Sequence, residues 1–314
     1  MIAVTITPGE RATPKWLGPG LAATGVLITL VLVWRAGPGA VLQALASVGP
    51  GFFAILLAPL GGMVLHCQGW LNLMPASRRP SRQAALAAYV AAQAGDELGA
   101  GIVGEPLKAL VMPANHRARA AATVALDNAA QLIALGLFML VVALAVCRSS
   151  MLALGGLTLA AAGLCLPLML PGLLRRAARG SRRPWVRRLA RIGGLAGLAL
   201  AARPRRMLVS IAWHLLGKAW IVPEMALALF LLGSRPGLAL VLGPASVAAA
   251  TLGAFIPGQV GAVEAGLAAT GTAVGMGLTT VMALALLRRI RGAVWIGVGL
   301  FLAGKVIERG RETV

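Results

Sequence analysis

Long apolar runs, separated by short basic or glycine- and proline-rich segments, dominate the pattern of hydrophobic and polar positions along the chain. Several runs reach or approach the ~20 residues that a helix needs to cross a bilayer. The pattern predicts an all-α fold, a polytopic transmembrane helix bundle with about six to eight crossings. The uninterrupted runs cover residues 17–33, 51–73, 120–146, 151–173, 207–232 and 292–304.

Two further apolar regions, 84–112 and 238–276, are interrupted by Gly, Pro and charged residues. Each is interpreted either as two half-helices that enter and leave on one side of the membrane, or as one or two kinked crossings. "GAGIVGEPLKAL" (99–110) and "GAFIPGQVGAVEAG" (253–266) share a Gly-Ala-x-Ile-x-Gly frame followed by Glu. Paired breaks in two halves of a membrane protein indicate a transport site. The abundance of Gly and Ala makes a chance match the rival explanation.

Composition supports the membrane class. Of the 314 residues, 59% are hydrophobic and only 12% are charged, against about 25% charged in a soluble domain. We expect one integral membrane domain over residues 1–314. The net charge of +20 is concentrated, since eleven of the 29 Lys and Arg residues lie within 175–206.

This basic segment, 174–206, is interpreted as a cytoplasmic loop between two halves, following the positive-inside rule and contact with anionic lipids. The interpretation argues against nucleic acid as a partner, and a specific anionic partner is the alternative. Near the N-terminus, Lys15 precedes an apolar run that is bracketed by Trp16 and Trp34. This arrangement favours an uncleaved first helix with the N-terminus in the cytoplasm.

Charged and polar residues inside the first half form one candidate site. Glu105 and Lys108 are three residues apart, a spacing that suits an ion pair on one helix face, and Asp127 and Gln131 share a face at i,i+4. A polar face within a membrane helix has to point into the bundle. A solvated loop and simple helix-packing contacts are the alternatives. The candidates are Asp96, Glu97, Glu105, Lys108, Asp127 and Gln131.

The second half offers a matching candidate at its helix break. Pro257 and Gly258 would end one helix, Gly261 would permit the turn, and Glu264 would lie in the first turn of the next helix, where the helix dipole favours a carboxylate. The alternative is a Glu near the interface that caps a helix. One of the arginines that follow the break would neutralise Glu264 or hold a phosphate, and the alternative is a positive anchor at the interface; these arginines are Arg288, Arg289 and Arg291.

Other polar residues yield no catalytic or metal-binding signature. Cys67, Cys147 and Cys165 lie in apolar surroundings, and the three histidines are scattered, so no metal and no cofactor are expected. Catalytic motifs of the common hydrolase, metalloprotease and P-loop types are missing from the sequence, so we expect no enzyme activity. Glu224 is a further carboxylate in an apolar run, with Lys218 and His214 as possible partners.

The segments "GEPLKALVM", "ATVALDNAAQ", "IPGQVGAVEAG" and "LLRRIRG" resemble the lysylphosphatidylglycerol synthase transmembrane-region family, the flippase-like domain, and within it the branch associated with hopanoid biosynthesis. The chain departs from the family pattern at two positions. Gln259 stands where many members have Gly, and the basic residue that members often have near Asp127 is absent. The family's pattern fits Gly104, Glu105, Lys108, Pro257, Gly258, Gly261, Glu264 and Arg288.

The resemblance implies a multi-pass protein of the bacterial inner membrane that binds and flips a lipid or a lipid-linked head group. It implies membrane lipids as partners, with lipid-biosynthesis enzymes as further candidates, and a chain without the aminoacyl-transfer domain of fused members. The alternatives are a non-transporting lipid-binding scaffold for such enzymes and an intramembrane glycosyltransferase. The lipid and the oligomeric state are left open.

Overall fold

The protein is helical throughout its described length. The computed structural model describes residues 17–98, 104–110, 112, 117–144, 150–180, 184–202, 204–254 and 256–312, and none of these residues forms a β-strand. The predicted all-α class is therefore confirmed. The α-helices are α1 (Leu17–Ala36), α2 (Pro38–Ser47), α3 (Gly51–Leu57), α4 (Pro59–Leu73), α5 (Arg82–Leu98), α6 (Pro106–Leu110), α7 (Arg117–Val142), α8 (Ser150–Gly180), α9 (Pro184–Ala202), α10 (Pro204–Ala219), α11 (Ile221–Leu231), α12 (Ala239–Leu252), α13 (Ala262–Ala273) and α14 (Leu278–Glu312).

Three helical stretches within these ranges are long and apolar enough to cross a membrane: Gly51–Leu73, Arg117–Val142 and Pro204–Leu231. A fourth is the bent pair formed by α1 and α2, which turns by 86°. Gly37, with φ +83°, makes that turn in the left-handed region that Gly enters freely. The chain is thus a multi-pass membrane protein. The six to eight crossings stay a prediction, because breaks leave α12 and α13 short, at 14 and 12 residues.

The joint between α3 and α4 shows how the bundle tolerates a proline within a membrane-length helix. Pro59 has no N–H to donate to the preceding helical turn. Two tryptophans from distant helices donate to nearby carbonyl groups instead. Trp295 Nε1 donates to Leu56 O and Trp220 Nε1 donates to Ala58 O, each over 2.8 Å. Backbone carbonyl groups at the joint therefore acquire partners within the protein.

The basic segment 174–206 differs from the predicted loop. It is helical on both sides of residues 181–183, first as the end of α8 and then as α9. The apolar residues Ile192, Leu195 and Ala196 of α9 recur at helical spacing and pack with α7, while Arg187 and Arg191 are exposed, so burial on one face stabilises a helix here. Its cytoplasmic location stays a prediction.

Helix α7 is central, because it packs against α4, α6, α8, α9 and α10. Small residues permit these close contacts. Gly136 of α7 and Gly156 of α8 face each other so closely that a Cβ on Gly156 would lie 2.7 Å from Gly136 O. Small residues at helix crossings are the usual means of close packing in membranes. This packing fixes the position of Asp127, one of the candidate residues on α7.

Candidate functional site

The first interrupted region folds back against α5 at Gly104. A Cβ at Gly104 would lie 1.7 Å from Ala92 O, so only glycine fits. The Gly104 N–H donates to Asp96 Oδ1 over 2.8 Å. Asp96 therefore ties the start of α6 to the end of α5. The break was predicted from the sequence, and residues 99–103 of its shared Gly-Ala frame lie outside the described residues.

Helix α6 places Lys108 in the interior of the bundle. The side chain is 1% exposed, and its Nζ lies 2.8 Å from Glu105 Oε1 and 3.0 Å from Asp127 Oδ2. The ring of Tyr89 lies beneath the ammonium group, with its centroid 4.9 Å away. The predicted Glu105–Lys108 pair is present. Its burial shows that this part of the region is not a solvated loop.

Asp127 is fully buried and accepts three hydrogen bonds. Lys108 and the amide of Gln131, at 3.1 Å, bind Oδ2, and His214 Nε2 binds Oδ1 at 2.8 Å. His214 in turn contacts His66, with their Nδ1 atoms 2.9 Å apart. Within the described ranges, no three His, Cys, Asp or Glu side chains converge as a metal site would require.

Sequence reasoning missed the two histidines as members of this cluster. His66 lies on α4 and His214 on α10, 148 residues apart, so no local spacing connects them. The suggestion that His214 or Lys218 pairs with Glu224 was wrong. Glu224 instead forms an ion pair with Arg291 of α14. The available signal was a lone polar residue on each of several apolar helices, which favours convergence inside the bundle.

The second interrupted region breaks between α12 and α13, as predicted. A short 3₁₀ turn, Pro257–Gln259, occupies the gap. Gly258 and Gly261 have φ values of +62° and +83°, and a Cβ at Gly261 would lie 2.5 Å from the Cα of Gly25 on α1. Gln259 also has a positive φ, +54°, a backbone conformation that glycine would adopt at lower cost.

Glu264 lies in the first turn of α13, as the sequence predicted, and is only 1% exposed. Its Oε2 accepts the Gly261 N–H at 2.8 Å and Arg289 Nη2 at 3.0 Å. Arg289 Nε also donates to Oε1. Glu264 is thus a helix cap that is neutralised by an arginine, and its oxygens are engaged within the protein. This geometry matches the capping alternative rather than a free ligand group.

Glu97 marks the place where the two interrupted regions meet. A Cβ at Gly258 would lie 3.8 Å from Glu97 O, and one at Gly292 would lie 3.7 Å from Glu97 Oε2. The Glu97 carboxylate lies in the electrostatic field of the three arginines of α14. Among the described residues it forms no direct ion pair. Helices α5 and α14 therefore bring Glu97 next to Gly292, which lies one helical turn after Arg288.

Arg288 has a distinct environment from its two neighbours. Arg289 binds Glu264 and Arg291 binds Glu224. Arg288 Nη1 is buried and has no hydrogen-bond partner among the described residues. Buried polar atoms normally have a partner. Glu97 at the meeting point of the two breaks and Arg288, one turn before Gly292, are thus an anion and a cation that form no ion pair with each other among the described residues.

Apolar membrane-length helices and ionic clusters buried between them define a multi-pass membrane protein with a polar interior. The family model of the lysylphosphatidylglycerol synthase TM region matches residues 22–299, and the chain belongs to this family. The family is a membrane domain linked to lipid handling. No curated protein and no solved structure matches the chain. Membership in the hopanoid-associated branch stays a prediction.

Proposed function

We propose that the protein binds the head group of a membrane phospholipid at the meeting point of Glu97 and Arg288 and carries it across the bilayer. The observation that supports this most directly is the buried Arg288 Nη1, which lacks a hydrogen-bond partner among the described residues. Burial of an unsatisfied charged donor is costly, so a ligand that pairs with it gains affinity. A guanidinium binds phosphate oxygens well.

Glu97 gives the same point a second, opposite charge. A phospholipid head group often combines a phosphate with an amine or hydroxyl group. Arg288 would bind the phosphate, and the Glu97 carboxylate would accept a hydrogen bond from the amine or hydroxyl. Glu97 lies beside Gly258, in the irregular backbone of the second break, and such breaks are where transporters place their substrates.

The helix breaks support translocation. Gly258 and Gly261 hold backbone conformations that favour glycine, and such positions absorb rotation at low cost. A polar lining also reduces the cost of moving a charged head group across an apolar core about 30 Å thick. In this proposal the protein is not an enzyme, needs no cofactor, and works in the bacterial inner membrane with its N-terminus in the cytoplasm.

A non-transporting scaffold that binds lipid and lipid-biosynthesis enzymes is the second candidate. One observation favours it: Glu105 and Glu264 are each bound to a cation of the protein, in separate clusters. Carboxylates that already have cationic partners within the protein suit a rigid structure. The scaffold and the translocator differ in one measurable property, which is the rate at which lipid changes leaflet.

Reconstituted liposomes that contain labelled phosphatidylglycerol or phosphatidylethanolamine provide the test. Dithionite quenches only outer-leaflet label, so translocation appears as loss of the protected half. We expect faster loss than in empty liposomes, and a reduction of about tenfold or more for Arg288→Gln, because a hydrogen bond to a charged group contributes about 1.5–3 kcal/mol.

Arg205→Gln, an exposed arginine on α10, is the matched control and should keep the wild-type rate. A labelled glucosylceramide, which has no phosphate, should be insensitive to Arg288→Gln. Translocation no faster than in empty liposomes, together with retained lipid binding, would favour the scaffold instead.

A further inference from the structure

A continuous line of titratable side chains runs through the interior on four helices. It passes from His66 on α4 to His214 on α10, Asp127 on α7, and Lys108 and Glu105 at α6, with successive gaps of 2.9, 2.8, 3.0 and 2.8 Å. We propose that this line binds a proton and couples its uptake to lipid movement. The inference rests on the proposed translocation, for which it supplies an energy source.

Hydrogen-bond chemistry limits the line to two protonation states. A carboxylate only accepts, so His214 must donate its Nε2 proton to Asp127 Oδ1. A neutral His214 then has a bare Nδ1, and His66 must donate its own Nδ1 proton to it. A proton that arrives at His66 Nε2 allows the Nδ1 proton of His66 to pass to His214. His66 is then neutral again, and His214 is an imidazolium.

The charges of the hydrogen-bonded groups favour that uptake, whereas a neighbouring cation opposes it. Lys108 can neutralise only one of its two carboxylate partners, Glu105 and Asp127, so with neutral histidines the hydrogen-bonded groups alone carry a net charge of −1. One proton on the histidine pair brings that sum to zero and removes the uncompensated charge within the network. Lys218 lies outside the network, and its positive charge acts against the proton.

Charged and aromatic groups on the helices packed around this line influence how readily it binds a proton. Burial of the His66 ring opposes a proton there, as does the positive charge of Lys218, one turn after His214 on α10, whereas Asp127 attracts the proton. Tyr89 of α5 stacks on His66, with ring centroids 6.3 Å apart and planes 9° apart. The remaining titratable groups around the line are Cys67 beside His66 and Asp96 beside Gly104.

The line has a polar continuation at one end. Helices α4 and α10 run antiparallel here, since Gly69 abuts His214 and Asn72 donates to Arg206 O at 3.0 Å. Trp70 and Ser210, each one turn from a histidine, therefore lie at one level. Trp70 Nε1 and Ser210 Oγ are buried, without a hydrogen-bond partner in the described part of the chain. The unused hydrogen-bonding capacity of these two side chains suits a bound water molecule that delivers protons to the histidines.

Histidine NMR in lipid nanodiscs tests proton binding without reference to transport. The sequence has three histidines, so His66→Gln and His214→Gln assign the spectrum, and His116 serves as a reference. Between about pH 5 and 8, His66 and His214 should take up a single proton together, and Asp127→Asn should alter that step. Independent titration of the two histidines, or no titration at all, would overturn the relay.

The coupling is tested in the dithionite assay with an imposed pH gradient. We expect the wild-type rate to change by up to about tenfold for one pH unit, which is the change in proton concentration. His66→Gln and His214→Gln should remove the response to the gradient but retain residual translocation. Ser246→Ala, a buried polar residue bonded to Gly243 O on α12, should respond like wild type.

The outcomes separate the two proposals. Translocation that ignores the gradient in the wild-type protein would contradict the coupling and leave the lipid proposal intact. If no translocation occurs, the lipid proposal fails, and the NMR titration alone decides whether the line binds a proton. Thermal unfolding in detergent checks that each variant is folded.

Discussion

Arg289 binds both carboxylate oxygens of Glu264, which lies 25 residues earlier in the chain. The same guanidinium donates to the carbonyl oxygens of Gly258 and Gln259, the latter over 2.9 Å. One side chain of α14 thus satisfies a helix cap and two free carbonyls of the break before α13. Irregular backbone persists inside a membrane bundle only with such internal partners.

Removal of either partner should therefore weaken the fold around the break. We expect Glu264→Gln and Arg289→Gln each to cost about 3 kcal/mol, the lower end for a broken buried ion pair, because Arg289 is 32% exposed. The double variant should cost less than the sum of the two, since neither charge is then left unpaired. Thermal or denaturant unfolding in detergent measures all three.

Arg205→Gln controls for the loss of an arginine that is exposed on α10. Its stability should stay within about 0.5 kcal/mol of wild type, as is usual for surface substitutions. Strictly additive effects of Glu264→Gln and Arg289→Gln would show that the pair does not act as a unit.

Much of this break was predictable from the sequence. The break was expected at Pro257 and Gly258, although α12 already ends at Leu252 and these two residues lie in a 3₁₀ turn. Glu264 was correctly placed in the first turn of the next helix. The sequence did not predict that Arg289, rather than Arg288, binds Glu264. Adjacent residues on a helix point about 100° apart, so the rotation of α14 against α13 decides which guanidinium reaches Glu264.

Gly104 offers a prediction about the first break. A Cβ there would overlap Ala92 O, at 1.7 Å, and backbone of α5 and α6 would have to separate. We expect Gly104→Ala to reduce the yield of folded protein and to lower its melting temperature. Overpacking of this kind costs about 1–3 kcal/mol or more.

Gly155→Ala on α8 is the matched control, because nothing lies within 4 Å of the position that its Cβ would take. Alanine favours a helix over glycine by up to about 1 kcal/mol, so this variant should be neutral or slightly more stable. Equal melting temperatures for the two variants would contradict the close packing of Gly104. Size-exclusion profiles and melting curves in one detergent make the comparison.

The basic segment and the histidines show where sequence pattern falls short. Charge density suggested a loop at 174–206, yet the apolar residues of α9 have helical spacing and a surface of α7 to cover. The outcome depends on a tertiary partner that the local sequence does not reveal. The two histidines, His66 and His214, lie near Asp127 only because α4, α7 and α10 pack together. An isolated polar residue on each helix does not show how the three helices are aligned with one another.

Asp127 is the residue whose replacement should affect the interior most. Lys108, Gln131 and His214 all donate to it. Asp127→Asn would replace one acceptor oxygen with an amide NH2 that faces these donors, and it would leave Lys108 with only Glu105 as an anionic partner. We therefore expect a loss of about 3–5 kcal/mol, as for a broken buried ion pair. Gln131→Leu removes one hydrogen bond to the carboxylate at a partly buried position and should cost about 1.5 kcal/mol, the lower end for a hydrogen bond to a charged group. Unfolding in detergent separates these values, and a Gln131→Leu loss as large as that of Asp127→Asn would mean that packing of α7, rather than the ionic network, sets the stability.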